Sequence, residues 1–365
     1  MTIESNQLPV KKRKSIKQFL TDFPYIQVAL IVGVILAVFL IPKNTNLTAG
    51  KKSLSQGWMT INPPKKTTCI LQWKDYAIAG DNEGVYKINL DTGKVNEKFA
   101  PKISMEYVRA LMVDKNDCLW VCHINGASKF NGKSWENFSI KNGLPDNRAN
   151  CIMQDSKGLI WVGTSKGIGI YDGKAWRSMT TKDGLISDMV NAIAQHTNGT
   201  MFFGSYLTNI GGVSCFYNGK WQYFNTKNGL PHDYINCFYQ DSNKGMWVGT
   251  GFLERGGTCK LVFENGKWAI SKVLTVKEGL AGEKVCAIFE QKNDGIMWFG
   301  SEYDGISFNK NGEWSSIDYL DGLAGCEVKS ILFDKNQTMW FATPDGVSRI
   351  TDKALKETIK AHLGE

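Results

Sequence analysis

The chain has 365 residues, of which 42% are hydrophobic, and a formal net charge of +8. Half of this excess lies near the N-terminus, because residues 51–365 hold 37 basic and 33 acidic side chains. Such a mixed surface excludes a basic nucleic-acid-binding stripe, and we expect no nucleic-acid partner.

The chain begins with a basic segment, residues 1–23, that precedes an apolar run. Residues 25–41 are 17 successive residues without a charged side chain. A membrane-spanning helix needs about 17–25 such residues, so we predict a transmembrane anchor over residues 24–42. A cleaved signal peptide is the alternative.

The position of the basic segment predicts how the protein is oriented in the membrane. Lysines and arginines beside a spanning helix stay on the cytoplasmic side. We therefore predict a single-pass membrane protein whose N-terminus is cytoplasmic. After a linker, residues 43–56, the rest of the chain would be periplasmic or extracellular.

Residues 57–351 repeat one sequence pattern with a spacing of 41 to 47 residues. A turn phrase such as NGKSW at 131–135 ends in a tryptophan in each of five copies. These tryptophans are Trp135, Trp176, Trp221, Trp268 and Trp314. A second phrase, such as IWVGT at 160–164, recurs in phase with the first. A period in the forties that is rich in Gly, Trp and Val indicates a series of small antiparallel sheets.

One repeat unit can be divided into four strands joined by turns. The strands are predicted at 149–154, 159–164, 168–171 and 176–180. Asp172 and Gly173 join the third strand to the fourth, and this pair suits a two-residue hairpin because both residues tolerate positive φ. Four antiparallel strands make one blade of a β-propeller.

Seven units follow one another, and the last lacks its fourth strand. First strands are predicted at 68–73, 108–113, 149–154, 190–195, 235–240, 285–290 and 328–333. Residues 57–61 match the fourth-strand phrase, so we predict that they complete the last blade and close the ring. The predicted fold is an all-β, seven-bladed propeller, preceded by one transmembrane helix and followed by a short helical tail at 352–365.

The unit resembles the repeat of the two-component regulator propeller family. In one unit the matching residues are GLPDN at 143–147, Ile152, Asp155, Gly158, IWVGT at 160–164, Gly167 and Ile168. The resemblance covers about residues 57–350, and it implies an extracytoplasmic sensor of the kind found in histidine kinases. The sequence carries no kinase or receiver domain after the last blade, so we expect any signal to pass through a separate sensor kinase or another envelope protein.

Nine cysteines outside the cytoplasm raise the question of disulfide bonds. Four of them fall on the first strands of different predicted blades, and they are Cys69, Cys151, Cys237 and Cys286. Cys118 and Cys122 are too far apart along one strand to be bridged. We therefore expect small buried thiols, with a disulfide framework as the alternative.

The loops between units and the loops between second and third strands share one face of a propeller, and we expect the binding site there. Two of these loops, 205–211 and 250–256, are longer than their counterpart at 164–167. The candidate ligand-binding residues are Tyr206, His232, Phe252, Glu254, Arg255, Tyr303 and Asp304. Aromatic side chains beside charges suit a small molecule, a peptide, a glycan or a partner protein. The alternative is that these loops only cover the blade tops.

Four acidic residues precede first strands at equivalent positions, where the family resembled here favours Asn. They are Glu106, Asp188, Asp233 and Glu283. Carboxylates gathered at the mouth of the central channel would suit a cation or an amine, because like charges repel unless a counter-charge is near. The alternative is that each carboxylate caps the backbone of its own turn.

Enzyme motifs are absent from the sequence. The four histidines are not at metal-ligand spacing, and there is no nucleophile elbow, phosphate loop or zinc-protease motif. No cofactor is expected. The first hypothesis is a membrane-anchored sensor propeller that binds a ligand or a partner. The alternatives are a lyase- or hydrolase-type propeller enzyme for a small molecule or glycan, with His232 as base beside Glu283, and an envelope scaffold.

Overall fold

The computed structural model describes residues 57–99, 104–253 and 255–364. The basic segment, the predicted anchor at 24–42 and the linker lie outside the described residues. Within the described ranges, no helix is long and apolar enough to cross a membrane.

The strands form seven four-stranded antiparallel sheets, which confirms the predicted seven-bladed propeller. Blade one comprises β2 (Cys69–Trp73), β3 (Tyr76–Gly80), β4 (Val85–Asn89) and β5 (Val95–Lys98). Blade two comprises β6 (Ala110–Val113), β7 (Leu119–His123), β8 (Gly126–Phe130) and β9 (Trp135–Phe138). Blade three comprises β10 (Ala149–Gln154), β11 (Ile160–Thr164), β12 (Gly167–Tyr171) and β13 (Trp176–Met179). Blade four comprises β14 (Val190–Gln195), β15 (Met201–Ser205), β16 (Val213–Tyr217) and β17 (Lys220–Phe224).

The remaining three blades follow the same plan. Blade five comprises β18 (Ile235–Gln240), β19 (Met246–Phe252), β20 (Arg255–Glu264) and β21 (Lys267–Leu274). Blade six comprises β22 (Val285–Gln291), β23 (Ile296–Ser301), β24 (Ile306–Lys310) and β25 (Glu313–Ile317). Blade seven comprises β26 (Ser330–Phe333), β27 (Met339–Thr343), β28 (Gly346–Ile350) and, from the start of the described chain, β1 (Trp58–Ile61).

Blade seven is closed by β1, as the sequence predicted. This strand pairs antiparallel with β28, with Trp58 opposite Ile350 and Ile61 opposite Val347. The Trp58 ring packs against Phe341 at 5.8 Å between ring centroids. The pairing joins the first strand of the propeller to the last, so the ring has no open seam.

A buried aspartate at the turn between the first and second strands bonds to a tryptophan of the second strand, which explains why the two residues recur together in the repeat. In blade three, Asp155 Oδ1 accepts hydrogen bonds from the backbone N–H groups of Lys157 at 3.0 Å and Leu159 at 2.8 Å. Its Oδ2 accepts from Trp161 Nε1 at 2.9 Å. The same Asp–Trp bond, at 2.8 Å, joins Asp114 to Trp120, Asp241 to Trp247 and Asp334 to Trp340. Each aspartate thus satisfies a turn and fixes a core indole.

A Gly-Leu pair, such as the one at 184–185, forms the junction between neighbouring blades. Before it, Thr180 and Asp183 make a capping box around a 3-10 turn at Thr181–Asp183. Gly184 then adopts a φ of 113°, and a methyl group there would overlap the Trp221 indole of the next blade. Equivalent 3-10 turns lie at Ile140–Asn142, Thr226–Asn228 and Val276–Glu278. The glycine and the tryptophan recur in phase because they meet across the blade boundary.

The helical tail and the cysteines complete the core. Helix α1 (Asp352–Leu363) follows blade seven and buries Leu355 and Ile359 against blades six and seven. All nine cysteines are free, and six of them are buried. Burial raises the pKa of Cys69 and Cys151 to about 12, so these thiols stay protonated at neutral pH.

Candidate functional site

The face that carries the loops between blades and between second and third strands, here called the loop face, has two long connections on adjacent blades. In blade four, residues 206–212 join β15 to β16. In blade five the segment 250–256 is largely strand, because β19 and β20 continue until Phe252 lies opposite Arg255. Gly251, with a φ of 130°, belongs to this extension and leaves room for the neighbouring backbone. The pairing holds Phe252 and Arg255 side by side above the blade.

Exposed apolar side chains are concentrated on the loop face. Among the described residues, nine large hydrophobic side chains are exposed on its loops: Tyr107, Ile140, Ile210, Phe252, Leu253, Val276, Tyr303, Tyr319 and Leu320. Three others, Met59, Tyr223 and Val273, lie on outer strands. Exposed apolar side chains concentrated on one face favour that face as the candidate interaction surface.

Loops of blades four, five and six surround a cavity of about 700 Å³, here called the blade 4–6 cleft. Its lining residues are Thr208, Asn209, His232, Phe252, Leu253, Arg255 and Tyr303. Four of the candidate ligand-binding residues therefore come together here. Phe252 and Tyr303 are 42% and 61% exposed, so their rings are available to a ligand.

His232 offers a hydrogen-bond donor to the blade 4–6 cleft. Its Nδ1 accepts the backbone N–H of Tyr234 at 2.9 Å, which assigns the proton of the neutral ring to Nε2. Burial is the main cause that lowers the pKa of His232. The nearby Asp233 raises this pKa, and the nearby Arg255 lowers it. The imidazole is therefore neutral at neutral pH.

A row of three aromatic rings runs from blade four to the blade 4–6 cleft. Tyr206 lies 5.9 Å from Tyr234 between ring centroids, and Tyr234 stacks on Phe252 at 5.3 Å. The Tyr206 hydroxyl also bonds to Ser165 Oγ at 2.9 Å. Tyr206 therefore contacts Phe252 of the cleft through Tyr234, a residue that was not among the candidates predicted from the sequence. An aromatic residue just before a first strand would have been the signal.

The other ligand-binding candidates lie beside the blade 4–6 cleft or outside the description. Asp304 lines a neighbouring cavity of about 230 Å³ that shares Leu253 and Tyr303 with the cleft. Burial raises the pKa of the Asp304 carboxyl. Glu283 lines this smaller cavity too. Glu254 lies outside the described residues.

Two of the four acidic residues before first strands hold their own turns. Asp188 Oδ1 accepts from the Thr181 backbone N–H at 2.6 Å, and Asp233 Oδ1 accepts from that of Thr226 at 2.6 Å. Glu106 accepts from Ser104 Oγ at 2.9 Å. In the part of the chain that the structure describes, no three His, Cys, Asp or Glu residues form a group that could hold a metal ion.

The closed ring of seven blades, with its binding candidates on loops of one face, defines the chain as a propeller of repeated units. Two segments, 143–166 and 229–252, match the model of the two-component regulator propeller family. The chain is therefore a seven-bladed β-propeller, and two of its units carry the two-component regulator propeller repeat, as the motifs indicated.

Solved structures share this fold. The extracellular domain of a hybrid two-component system from B. thetaiotaomicron is 21% identical with a TM-score of 0.69, and the match covers 82% of this chain and 42% of that one. The extracellular domain of a one-component system from the same organism is 16% identical with a TM-score of 0.65, over 81% and 40% of the two chains. Virginiamycin B lyase from Staphylococcus aureus is 18% identical with a TM-score of 0.61, over 80% and 98%.

These likenesses show the fold alone. The chain spans less than half the length of either extracellular domain that it matches. No protein of curated function matches its sequence.

Proposed function

We propose that this protein is a membrane-anchored sensor propeller that lies outside the cytoplasm and binds a ligand in the blade 4–6 cleft. The predicted anchor at 24–42 would hold it in the membrane, with residues 1–23 in the cytoplasm. The sensor role is supported by the family repeat and by the similar folds of extracellular domains from one- and two-component systems.

The observation that carries the binding proposal is the convergence of three blades on one cavity. The cavity of about 700 Å³ falls in the range of roughly 300–1,000 Å³ that is usual for small-ligand sites. Its residues come from the β15–β16 and β19–β20 connections, from His232 in the loop between blades four and five, and from Tyr303 of blade six. Among the described residues, the turns of the opposite face are short. A structural role alone would not require exposed rings at Phe252 and Tyr303.

The chemistry of the cleft indicates what it binds. His232 Nε2 and the Arg255 guanidinium are hydrogen-bond donors, and Phe252 and Tyr303 offer aromatic faces. Donors beside exposed rings suit an oxygen-rich molecule with an apolar face, such as a glycan or a peptide. We infer that a glycan or peptide of a few units is the ligand class.

Output would pass to a second protein in the envelope. Exposed Val276, Tyr319 and Leu320 extend the apolar surface of the loop face beyond the blade 4–6 cleft. Such a surface next to a ligand site suits a partner whose contact depends on the occupied cleft. A separate sensor kinase or another envelope protein is the partner that we propose.

The test is a binding screen on the full chain in detergent, with neutral oligosaccharides and short peptides as probes and thermal unfolding as the readout. For the first compound that binds, Phe252→Ala should weaken binding by about 30-fold, the loss typical of a central aromatic contact. Lys133→Ala, an exposed change in a turn of the opposite face, is the matched control. Equal affinities for the two variants would contradict the proposal.

A propeller lyase is the second candidate, because the fold is shared with virginiamycin B lyase and His232 is neutral in the cleft. Against it, Glu283, the residue expected beside His232, lines the neighbouring cavity and not the cleft. The same screen distinguishes the two functions: an enzyme would convert a bound compound to product, and His232→Ala would abolish turnover while binding persists.

A further inference from the structure

A second cavity lies on the propeller axis, at the loop-face end of the central channel, and has a volume of about 380 Å³. Equivalent positions of the seven first strands line it: Thr68, Arg109, Asn150, Asn191, Asn236, Cys286 and Lys329. Four of these residues are the bulged residues of their strands, namely Asn150, Asn191, Asn236 and Cys286. The bulges turn these side chains to the axis, so groups that can form hydrogen bonds line much of the cavity wall.

The amides of this wall are held in place by the neighbouring blades. Asn150 Nδ2 donates to the Val190 carbonyl at 3.0 Å, and Asn191 Nδ2 donates to that of Ile235 at 3.1 Å. Asn150 is 5% exposed, and its Oδ1 is buried with no hydrogen-bond partner among the described residues. A buried acceptor without a donor is destabilising, and a donor on a ligand would satisfy it.

The lysines of the cavity are neutralised, but Arg109 is not. Lys284 Nζ lies 2.5 Å from Glu302 Oε1, and Lys329 Nζ lies 3.1 Å from Glu327 Oε1. The half-buried guanidinium of Arg109 makes no hydrogen bond or ion pair with any described residue, and its Nε is buried without a partner. A charge in such a position is costly unless an opposite charge accompanies it.

Arg148, in the loop before blade three, adds a second positive charge near Arg109. The pKa of the Arg109 guanidinium is lowered by burial first and then by Arg148. Arg148 likewise forms no ion pair within the described residues. Like charges repel, so an oxyanion bound at Arg109 would offset this repulsion.

We propose that Arg109 binds an oxyanion at the axial cavity, and that the ligand is a small carboxylate with a neighbouring hydroxyl group. The planar fork of a guanidinium matches the two oxygens of a carboxylate. A hydroxyl group would donate to Asn150 Oδ1. Tyr234, whose ring is in the same cavity, provides an apolar side. This site is separate from the blade 4–6 cleft and does not depend on the sensor proposal.

The test measures thermal unfolding of the full chain in sodium citrate, a hydroxyl-bearing carboxylate, in sodium sulfate, and in sodium chloride at the same ionic strength. We expect citrate to stabilise the wild-type chain more than sulfate, and sulfate more than chloride. Arg109→Gln should weaken citrate binding by about 10- to 100-fold, the range for a hydrogen bond to a charged group. Arg148→Gln should weaken it as well.

A control variant separates this site from general salt effects. Arg177→Gln, an exposed change on β13, should leave the citrate effect intact. Without citrate, Arg109→Gln should be at least as stable as the wild type, because it removes an unpaired charge. If Arg109→Gln fails to fold, Arg109→Lys keeps the charge without the fork and should bind citrate more weakly. A citrate effect of the same size in all variants, or none in the wild type, would overturn the proposal.

Discussion

The Asp155–Trp161 bond offers a quantitative test of how the repeat stabilises each blade. Asp155→Ala removes three hydrogen bonds made by a side chain that is 8% exposed. Hydrogen bonds to charged groups contribute roughly 1.5–3 kcal/mol each, but water can reach the turn at Lys157 and replace part of the loss. We therefore expect the free energy of unfolding to fall by about 2–4 kcal/mol, which for a propeller of about 300 residues is a Tm decrease of about 3–6 °C.

Urea and thermal unfolding of the full chain measure this loss of stability. The control is the same substitution made in a chain that lacks the Trp161 indole. In a Trp161→Phe background, Asp155→Ala should cost less, because the bond to Nε1 is already absent. Blade four lacks the Asp–Trp bond, because His196 and Phe202 occupy the positions equivalent to Asp155 and Trp161. His196 keeps the bond to the turn, since its Nδ1 accepts the Asn198 backbone N–H at 3.0 Å. A loss below about 1 kcal/mol, or equal costs in both backgrounds, would refute the reasoning.

Three further changes test other contacts of the fold. Asp188→Ala should lower the free energy of unfolding by about 1 kcal/mol because it removes the acceptor for the Thr181 N–H, whereas Asp188→Asn keeps an acceptor and should be nearly neutral. Calorimetric titration of the wild type and both variants with Ca²⁺ tests for a cation site. Binding by the wild type alone would reveal such a site. Burial lowers the pKa of His123 from 6.5 to about 4, so the unfolded chain binds a proton on this residue more tightly than the folded chain does. The free energy of unfolding should therefore fall by up to about 3 kcal/mol as the pH decreases from about 6.5 to about 4. His123→Gln should flatten that part of the stability profile, and an unchanged pH dependence would contradict the assignment. Trp58→Ala should weaken the β1–β28 closure and lower stability by about 3 kcal/mol in urea titrations, while a loss under about 1 kcal/mol would show that the ring does not depend on this contact.

The blade count could be predicted from the sequence because its motifs are physical contacts. The Asp and Trp positions of one blade bond to each other, and a junction glycine such as Gly184 fits against the tryptophan of the next blade. Each contact fixes a spacing along the chain, so the repeat shows both the strands and their order. The closure by residues 57–61 followed from the same argument.

The binding candidates were less predictable because they depend on contacts between blades. His232, Phe252, Arg255 and Tyr303 are more than 70 residues apart at the extremes, and only the ring brings them to one cavity. The acidic residues were harder still. Asp188 aligns with Asn147, whose Oδ1 accepts from the Ile140 N–H at 2.9 Å, and this shared capping role is not visible from charge alone.

Arg109 could not be predicted as a site residue from the sequence for a related reason. It occupies a first-strand position that holds Thr, Asn, Cys or Lys in the other blades. Its lack of a carboxylate partner is visible only once Lys284 and Lys329 are paired with their own acids. A pattern of residue types predicts where a side chain lies, but it does not predict which neighbours remain unpaired.

Hydrogen exchange of the full chain, with and without the first compound that binds, tests whether a ligand binds on the loop face over blades four to six. We expect slower exchange at 205–212 and 250–257, with little change in the turns of the opposite face. Protection confined to those opposite turns, or absent from both loop segments, would contradict it.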